Sequence, residues 1–164
     1  MGGDIRIESD INQGSIFYFT LPYKQISINP LETIVSNKGI SDWGNKTILI
    51  AEDEKDSFTL LKTMLKNTKI NVLQANTGND VLNILAENKN IDLILMDLQM
   101  PGMNGIEATK KIKSRTHSIP IIAQTAFALS GDKQKCDEAG FDNYITKPIN
   151  KNKLLNMLAS YLEN

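Results

Sequence analysis

Asp92-Leu93-Ile94-Leu95-Met96-Asp97-Leu98-Gln99-Met100-Pro101-Gly102 decides the fold. An unbroken apolar run of strand length has no polar face, which suits a strand covered on both sides of a parallel sheet. The run stops at an aspartate, and Pro-Gly follows as a turn signal. Working outward, runs of similar length appear at Thr47-Ile48-Leu49-Ile50-Ala51, Ile70-Asn71-Val72-Leu73-Gln74-Ala75, Pro120-Ile121-Ile122-Ala123-Gln124 and Asn143-Tyr144-Ile145-Thr146. Helical spacing fills the gaps. Phe58, Leu61 and Leu65 share one face, widened by Leu60 and Met64, and Val81, Leu82 and Leu85 mark the next helix. A moderate stripe runs from Ile106 to Ile112, and the clearest is Leu154, Leu155, Leu158, Tyr161 and Leu162. Between these two, the stretch from Asp132 to Ala139 offers little apolar surface beyond Cys136 and Ala139.

Repeated alternation of strand and helix means βαβ units and a parallel sheet with helices on both faces. Right-handed crossovers favour an open, doubly wound α/β sheet. A strand order of 2-1-3-4-5, counted within this region, places the crevice at the carboxyl ends of its first and third strands.

Upstream the composition changes twice. Residues 1-22 hold two β-like runs, Asp4 to Ser9 and Ser15 to Leu21, with Asn12-Gln13-Gly14 as the turn of a hairpin. Two strands alone are marginal in water, so this piece needs a neighbour. Residues 23-45 lack sustained periodicity and contain Pro30, Gly39 and Gly44, the mark of a linker. Trp43, near its end, is expected to anchor the linker against the domain that follows, residues 46-164.

The bulk numbers exclude several functions. A formal net charge of -1 gives no sequence-independent grip on nucleic acid or an anionic membrane. No apolar run approaches a membrane span, and Met1-Gly2-Gly3-Asp4 lacks the features of a signal peptide. The single cysteine, Cys136, forbids an internal disulfide and fits a reducing compartment, so the expected location is the cytoplasm. With one histidine, His117, in a polar stretch read as a solvated loop, a histidine-based metal cluster or a histidine-paired catalytic triad is not expected.

The chemistry collects at the strand ends. The first strand runs into Glu52-Asp53-Glu54, the third ends at Asp97, the fourth at Thr125-Ala126 and the fifth at Lys147-Pro148. A parallel sheet brings all of these to one rim. Clustered carboxylates raise one another's pKa unless a cation neutralises them. Oxygen donors without His or Cys suit a hard divalent ion such as Mg²⁺. A carboxylate can attack phosphorus to form an aspartyl phosphate, with metal, lysine and hydroxyl stabilising charge on the phosphoryl oxygens. Acidic residues also follow strands simply as helix caps, and Glu54 and Asp56 are read that way. Asp97 differs: it ends a buried run, where an unpartnered charge is expensive. Lys147 alone could be a surface lysine, but it directly follows a strand and precedes Pro148, where a cis bond would fix a tight turn.

These residues resemble a response-regulator receiver domain of two-component signalling. The matching pieces are Ile48 to Asp53, Leu95 to Gly105, Ile122 to Ala126 and Tyr144 to Pro148, in that order. The resemblance implies a flavodoxin-like (βα)5 fold. It implies that Asp97 accepts phosphate from a partner's histidine, with Mg²⁺ held by Asp53, by Glu52 through water, by Asp97, and by the backbone carbonyl of Gln99. Thr125 would bond the phosphate and Lys147 would pair with it. Thr125 and Tyr144 would switch together, moving the face built by the fourth helix and fifth strand. Glu52 stands where many members have Asp, a variant familiar in receivers attached to kinases. The implied partner is a histidine-kinase dimerisation domain or a histidine phosphotransfer protein. A weak homodimer through the fourth helix, fifth strand and fifth helix is compatible with the same resemblance.

Met1 to Ser9 followed by Gly14 to Pro22 is similar to the last hairpin of a histidine-kinase ATP-binding domain. Together the two resemblances imply the C-terminal portion of a hybrid sensor kinase, whose parent is either soluble or membrane-anchored. The nucleotide-binding motifs of such a kinase are absent here, so this chain is not expected to phosphorylate proteins with ATP. An aspartate-nucleophile phosphohydrolase similar to the haloacid-dehalogenase group would need a second aspartate where Gln99 stands. A nucleotide-binding module would need a glycine-rich loop where Glu52-Asp53-Glu54-Lys55 stands. A pseudo-receiver that binds partners without phosphorylation would not need the acidic pocket, Thr125 and Lys147 all together.

Overall fold

The computed structural model describes residues 3–11, 14–20, 41–88, 90–115, 118–126 and 130–163, with only the main chain at 130–133. His117, the Asn12-Gln13 turn and residues 23–40 of the expected linker lie outside the described residues. The chain divides into two compact units, Met1–Asn37 and Lys38–Asn164.

In the first unit, β1 (Ile5–Asp10) pairs antiparallel with β2 (Gly14–Phe19), Ile7 opposite Phe17. The cross-strand pairs of a β-branched with an aromatic residue, Ile5 with Phe19 and Ile7 with Phe17, favour this pairing. Both faces stay open among the described residues: on one, Ile5 is 67% and Phe19 70% exposed, and on the other Ile16 is 58% and Tyr18 47% exposed.

The second unit runs β3 (Thr47–Ala51), α1 (Lys55–Leu65), β4 (Asn71–Ala75), α2 (Gly78–Glu87), β5 (Leu93–Asp97), α3 (Gly105–Lys113), β6 (Ile121–Thr125), α4 (Ser130–Ala139), β7 (Asn143–Thr146) and α5 (Lys151–Leu162). Its five strands are all parallel, in the order β4-β3-β5-β6-β7, which is the expected 2-1-3-4-5. Strand β5 extends one residue past its apolar run, to Asp97, and β6 two residues past its own, through Gln124 to Thr125. Main-chain bonding continues there: Leu98 N–H donates to Gln124 O at 3.2 Å, and Lys147 N–H to Thr125 O at 2.8 Å.

Side chains alternate between the two faces of the sheet. Leu49, Ala51, Ile94, Met96, Ile121 and Ala123 pack on the side of α2, α3 and α4. Ile48, Ile50, Leu93, Leu95, Ile122 and Ile145 pack on the side of α1 and α5, where Leu61, Leu65, Leu154 and Leu158 meet them. Each isoleucine, leucine or methionine among these, fully buried, contributes roughly 1.5–3 kcal/mol. The fourth helix buries Cys136 and Ala139, as its composition predicts.

Helix starts are capped from the sequence. Thr77 Oγ1 accepts from Asp80 N–H, Asn104 Oδ1 from Glu107 N–H, and Asn150 Oδ1 from Asn152 and Lys153 N–H. Glu54 does occupy the cap position of α1, but its carboxylate accepts from the Ser57 hydroxyl at 2.7 Å rather than from a backbone N–H. Trp43 is 3% exposed. Its indole Nε1–H donates to Glu163 Oε1 at 3.2 Å, and its own N–H to Thr68 O at 2.7 Å. It pins the entry to β3 against the end of α5. Among the described residues no helix is long and apolar enough to cross a membrane.

Candidate functional site

At the carboxyl rim of the sheet lies a cleft of about 940 Å³. Glu52 leaves β3, Asp97 ends β5 and Lys147 follows β7, and all three line this cleft. The β3–β5 register pairs Ala51 with Met96, so Glu52 and Asp97 come next on their strands, side by side. Both carboxylates are buried, Glu52 at 1% exposure and Asp97 at 7%. Asp53 stands exposed at the mouth. One carboxylate oxygen from each of Glu52, Asp53 and Asp97 lies within 4.8 Å of the others.

Lys147 neutralises the buried pair. Its Nζ donates to Asp97 Oδ2 at 2.6 Å and to Glu52 Oε2 at 2.8 Å. Asp97 Oδ1 accepts from Gln99 N–H at 3.0 Å, so both oxygens of Asp97 are held. Burial pushes the Glu52 pKa up, with the Asp97 charge adding to it, and Lys147 reverses only part of the rise. At Lys147 burial pulls the other way, downward. There the bonds to Asp97 and Glu52 win, and the ammonium titrates above its ordinary range. The same ion pair thus favours the charged lysine fully but leaves Glu52 short of charge compensation. A second cation would complete it.

That donor set is all oxygen, with two buried carboxylates sharing one ammonium. It fits a hard divalent cation and offers nothing to a soft one.

Behind Asp97 the chain makes a close approach. A Cβ on Gly105 would lie 2.0 Å from the Asp97 carbonyl oxygen and 2.9 Å from Met96 Cγ. Gly105 N–H also donates to Leu98 O at 3.2 Å. Only glycine lets α3 start directly against the end of β5.

The remaining expected residues fall in two places. Gln99 and Thr125 line the cleft with Asp97, and Thr125 is 5% exposed. Tyr144 does not line it. Tyr144 sits on β7 opposite Ala123 and packs on the α3/α4 side of the sheet. Thr125 follows Ala123 by two on β6, so the period of the strand puts it on the same side as Tyr144. The Lys147-Pro148 bond is cis.

Two residues here carry more than their place in the sequence suggested. Gly105 is one. The other is Gln124, which is fully buried, lines the cleft and pairs in register with Asp97. Its signal was a lone carboxamide closing an otherwise apolar run.

The family profile of the response regulator receiver domain matches residues 48–159. The chain belongs to this family, and that region is a receiver domain of two-component signalling. Among curated proteins, hybrid signal transduction histidine kinase I of Dictyostelium discoideum is 40% identical over 135 residues. That match covers 75% of this chain but only 8% of the kinase, so the chain spans a small part of that relative. Among solved structures, the receiver domain of sensor histidine kinase PA1611 from Pseudomonas aeruginosa has a magnesium ion coordinated in its active site cleft. It is 32% identical with a TM-score of 0.66, covering 73% of this chain and 98% of its own. The receiver domain of Ssk1 from Saccharomyces cerevisiae, solved with the histidine phosphotransfer protein Ypd1, is also 32% identical. Its TM-score is 0.66, with 71% of this chain and 88% of that chain covered.

Proposed function

We propose that Asp97 is the phosphoacceptor of this receiver and takes its phosphoryl group from a histidine of a partner protein. The observation that carries this is the held carboxylate: Gln99 N–H fixes Oδ1 and Lys147 fixes Oδ2, at the floor of an open cleft. An Asp97 oxygen attacks the phosphorus of a phosphohistidine as the P–N bond breaks and the imidazole nitrogen keeps the electron pair. The product is an acyl phosphate on Asp97. Lys147 then turns from carboxylate to phosphoryl oxygen, and the Thr125 hydroxyl donates to another. Glu52, Asp53, Asp97 and the Gln99 carbonyl would hold Mg²⁺, which supplies the positive charge that the buried carboxylates and the entering phosphate lack. Thr125 drawn toward the phosphate frees space for Tyr144, which couples the cleft to the α4/β7 face. The Ypd1 complex of a relative supports a histidine phosphotransfer protein as partner, with a histidine-kinase dimerisation domain the other donor of the same chemistry.

Residues 1-22 are read as the closing hairpin of a histidine-kinase ATP-binding domain, 23-45 as linker and 46-164 as receiver. The hybrid kinase among the relatives supports this arrangement, and with it a cytoplasmic receiver.

The test is intact mass after incubation with Mg²⁺ and acetyl phosphate. The parent chain gains one phosphate, while Asp97→Asn and the parent in EDTA do not. No gain in the parent contradicts the proposal, and steady phosphate release at enzyme rates would make the chain a phosphohydrolase.

A further inference from the structure

Among the described residues Gln124 has no hydrogen-bond partner for either Nε2 or Oε1, although it is 0% exposed. A carboxamide left like this costs free energy that a leucine or methionine of similar volume would not. Its surroundings are specific. Ile121 and Ala123 face α2, α3 and α4, and Ile122 faces α1 and α5, so Gln124 continues toward α1 and α5. By the same alternation Asp97, which follows Met96, points to that side too. Gln124 pairs with Asp97 on one flank and with Ile145 on the other, two residues before Lys147. The orphaned amide therefore stands in one row with the acceptor carboxylate, to which the Lys147 ammonium is bonded at 2.6 Å.

We propose that Gln124 is a positioning residue for phosphorylation: its carboxamide receives the hydrogen bonds that Lys147 and Asp97 rearrange when a phosphoryl group joins Asp97. This rests on the reading of Asp97 as phosphoacceptor. The donor and acceptor count fits. Lys147 carries three N–H groups, and two are directed at Asp97 and Glu52. When phosphoryl oxygens draw Lys147 away, Gln124 Oε1 accepts from it and fixes its new direction. The Asp97 oxygen that Lys147 leaves becomes a carbonyl oxygen of the acyl phosphate, and Gln124 Nε2–H donates to it. The resting state thus carries an unmet hydrogen-bonding capacity that the phosphorylated state meets.

The test compares the parent with Gln124→Met, Lys147→Met and the double variant, using acetyl phosphate and saturating Mg²⁺. Gln124→Met raises Tm, because the unmet amide is gone. It lowers the maximal phosphorylation rate about tenfold, the worth of one charge-assisted hydrogen bond. The acetyl phosphate concentration giving half the maximal rate stays the same. In the Lys147→Met background the further loss from Gln124→Met shrinks, since the two act through one another. An unchanged maximal rate, or losses that multiply independently, overturns the proposal. Should Gln124→Met fail to fold, a crystal structure of the parent with beryllium trifluoride on Asp97 decides. Gln124 bonded to Lys147 or residue 97 supports the proposal, and Gln124 still unpartnered or bonded only to water overturns it. A parent that takes no phosphate on Asp97 sinks the phosphoacceptor reading as well. A phosphorylated parent with an indifferent Gln124→Met sinks this proposal alone.

Discussion

Lys147 and Asp97 meet at 2.6 Å, joining the end of β5 to the residue just beyond β7. The same ammonium reaches Glu52, so one positive charge serves two buried carboxylates. Lys147→Met removes the ammonium bonded to both carboxylates. Breaking a buried pair costs about 3–5 kcal/mol, and solvent screening of the partly exposed lysine reduces that to roughly 1–3 kcal/mol at neutral pH. Urea unfolding of the metal-free chain measures it. A change under about 0.5 kcal/mol would mean that water already neutralises the pair.

Glu52 gives the site a pH signature. Its pKa in the folded chain lies above the ordinary 4.5, chiefly through burial. A raised folded-state value means stability that is present below the ordinary pKa and is lost as pH rises through the raised one. Lys147 is also raised, so its contribution holds throughout this window and disappears only above its ordinary 10.5. Metal-free Glu52→Gln should therefore have a higher Tm than the parent at pH 7, with the gap closing near pH 4. A gap that widens toward acid would reverse the assignment.

Gly105 has no room for a side chain, with the Asp97 carbonyl 2.0 Å from where a Cβ would stand. Gly105→Ala must push α3 from β5 or tilt Asp97, at a cost of about 1–3 kcal/mol or more. Phosphorylation should slow along with the loss of stability. A Tm within a degree of the parent would show that the two elements can part freely.

Trp43 is the one tryptophan in the chain and is buried. Its emission should be blue-shifted and move red on unfolding in step with the circular dichroism. Trp43→Phe removes the bond to Glu163 and should cost about 1 kcal/mol, while Trp43→Ala should cost about 3–5 kcal/mol. An emission change that precedes the main transition would mean that the entry to β3 loosens by itself.

How much of this could be read beforehand depended on range. The parallel order followed from apolar runs such as Leu93 to Met96 alternating with helical stripes, because period and burial are local properties. The convergence of Glu52, Asp97 and Lys147 followed from the topology, since parallel strands deliver their ends to one rim. What the chain could not announce needed register. That Lys147 bridges two carboxylates, and that Gln124 lies directly beside Asp97 without a partner among the described residues, depends on which residues pair across strands. Trp43 was legible as an anchor. Its partner Glu163, 120 positions away, was not. Glu54 showed the limit of local rules, for it occupies the cap position yet gives its carboxylate to Ser57.

The central claim is that phosphate joins the chain at the Asp97 carboxylate. Borohydride reduces an aspartyl phosphate to homoserine, so reductive trapping followed by peptide mass mapping marks the acceptor itself. After treatment with Mg²⁺ and acetyl phosphate, homoserine should appear at position 97 and at no other aspartate. Homoserine at position 53, or a phosphorylated chain with an unreduced Asp97, would contradict the account.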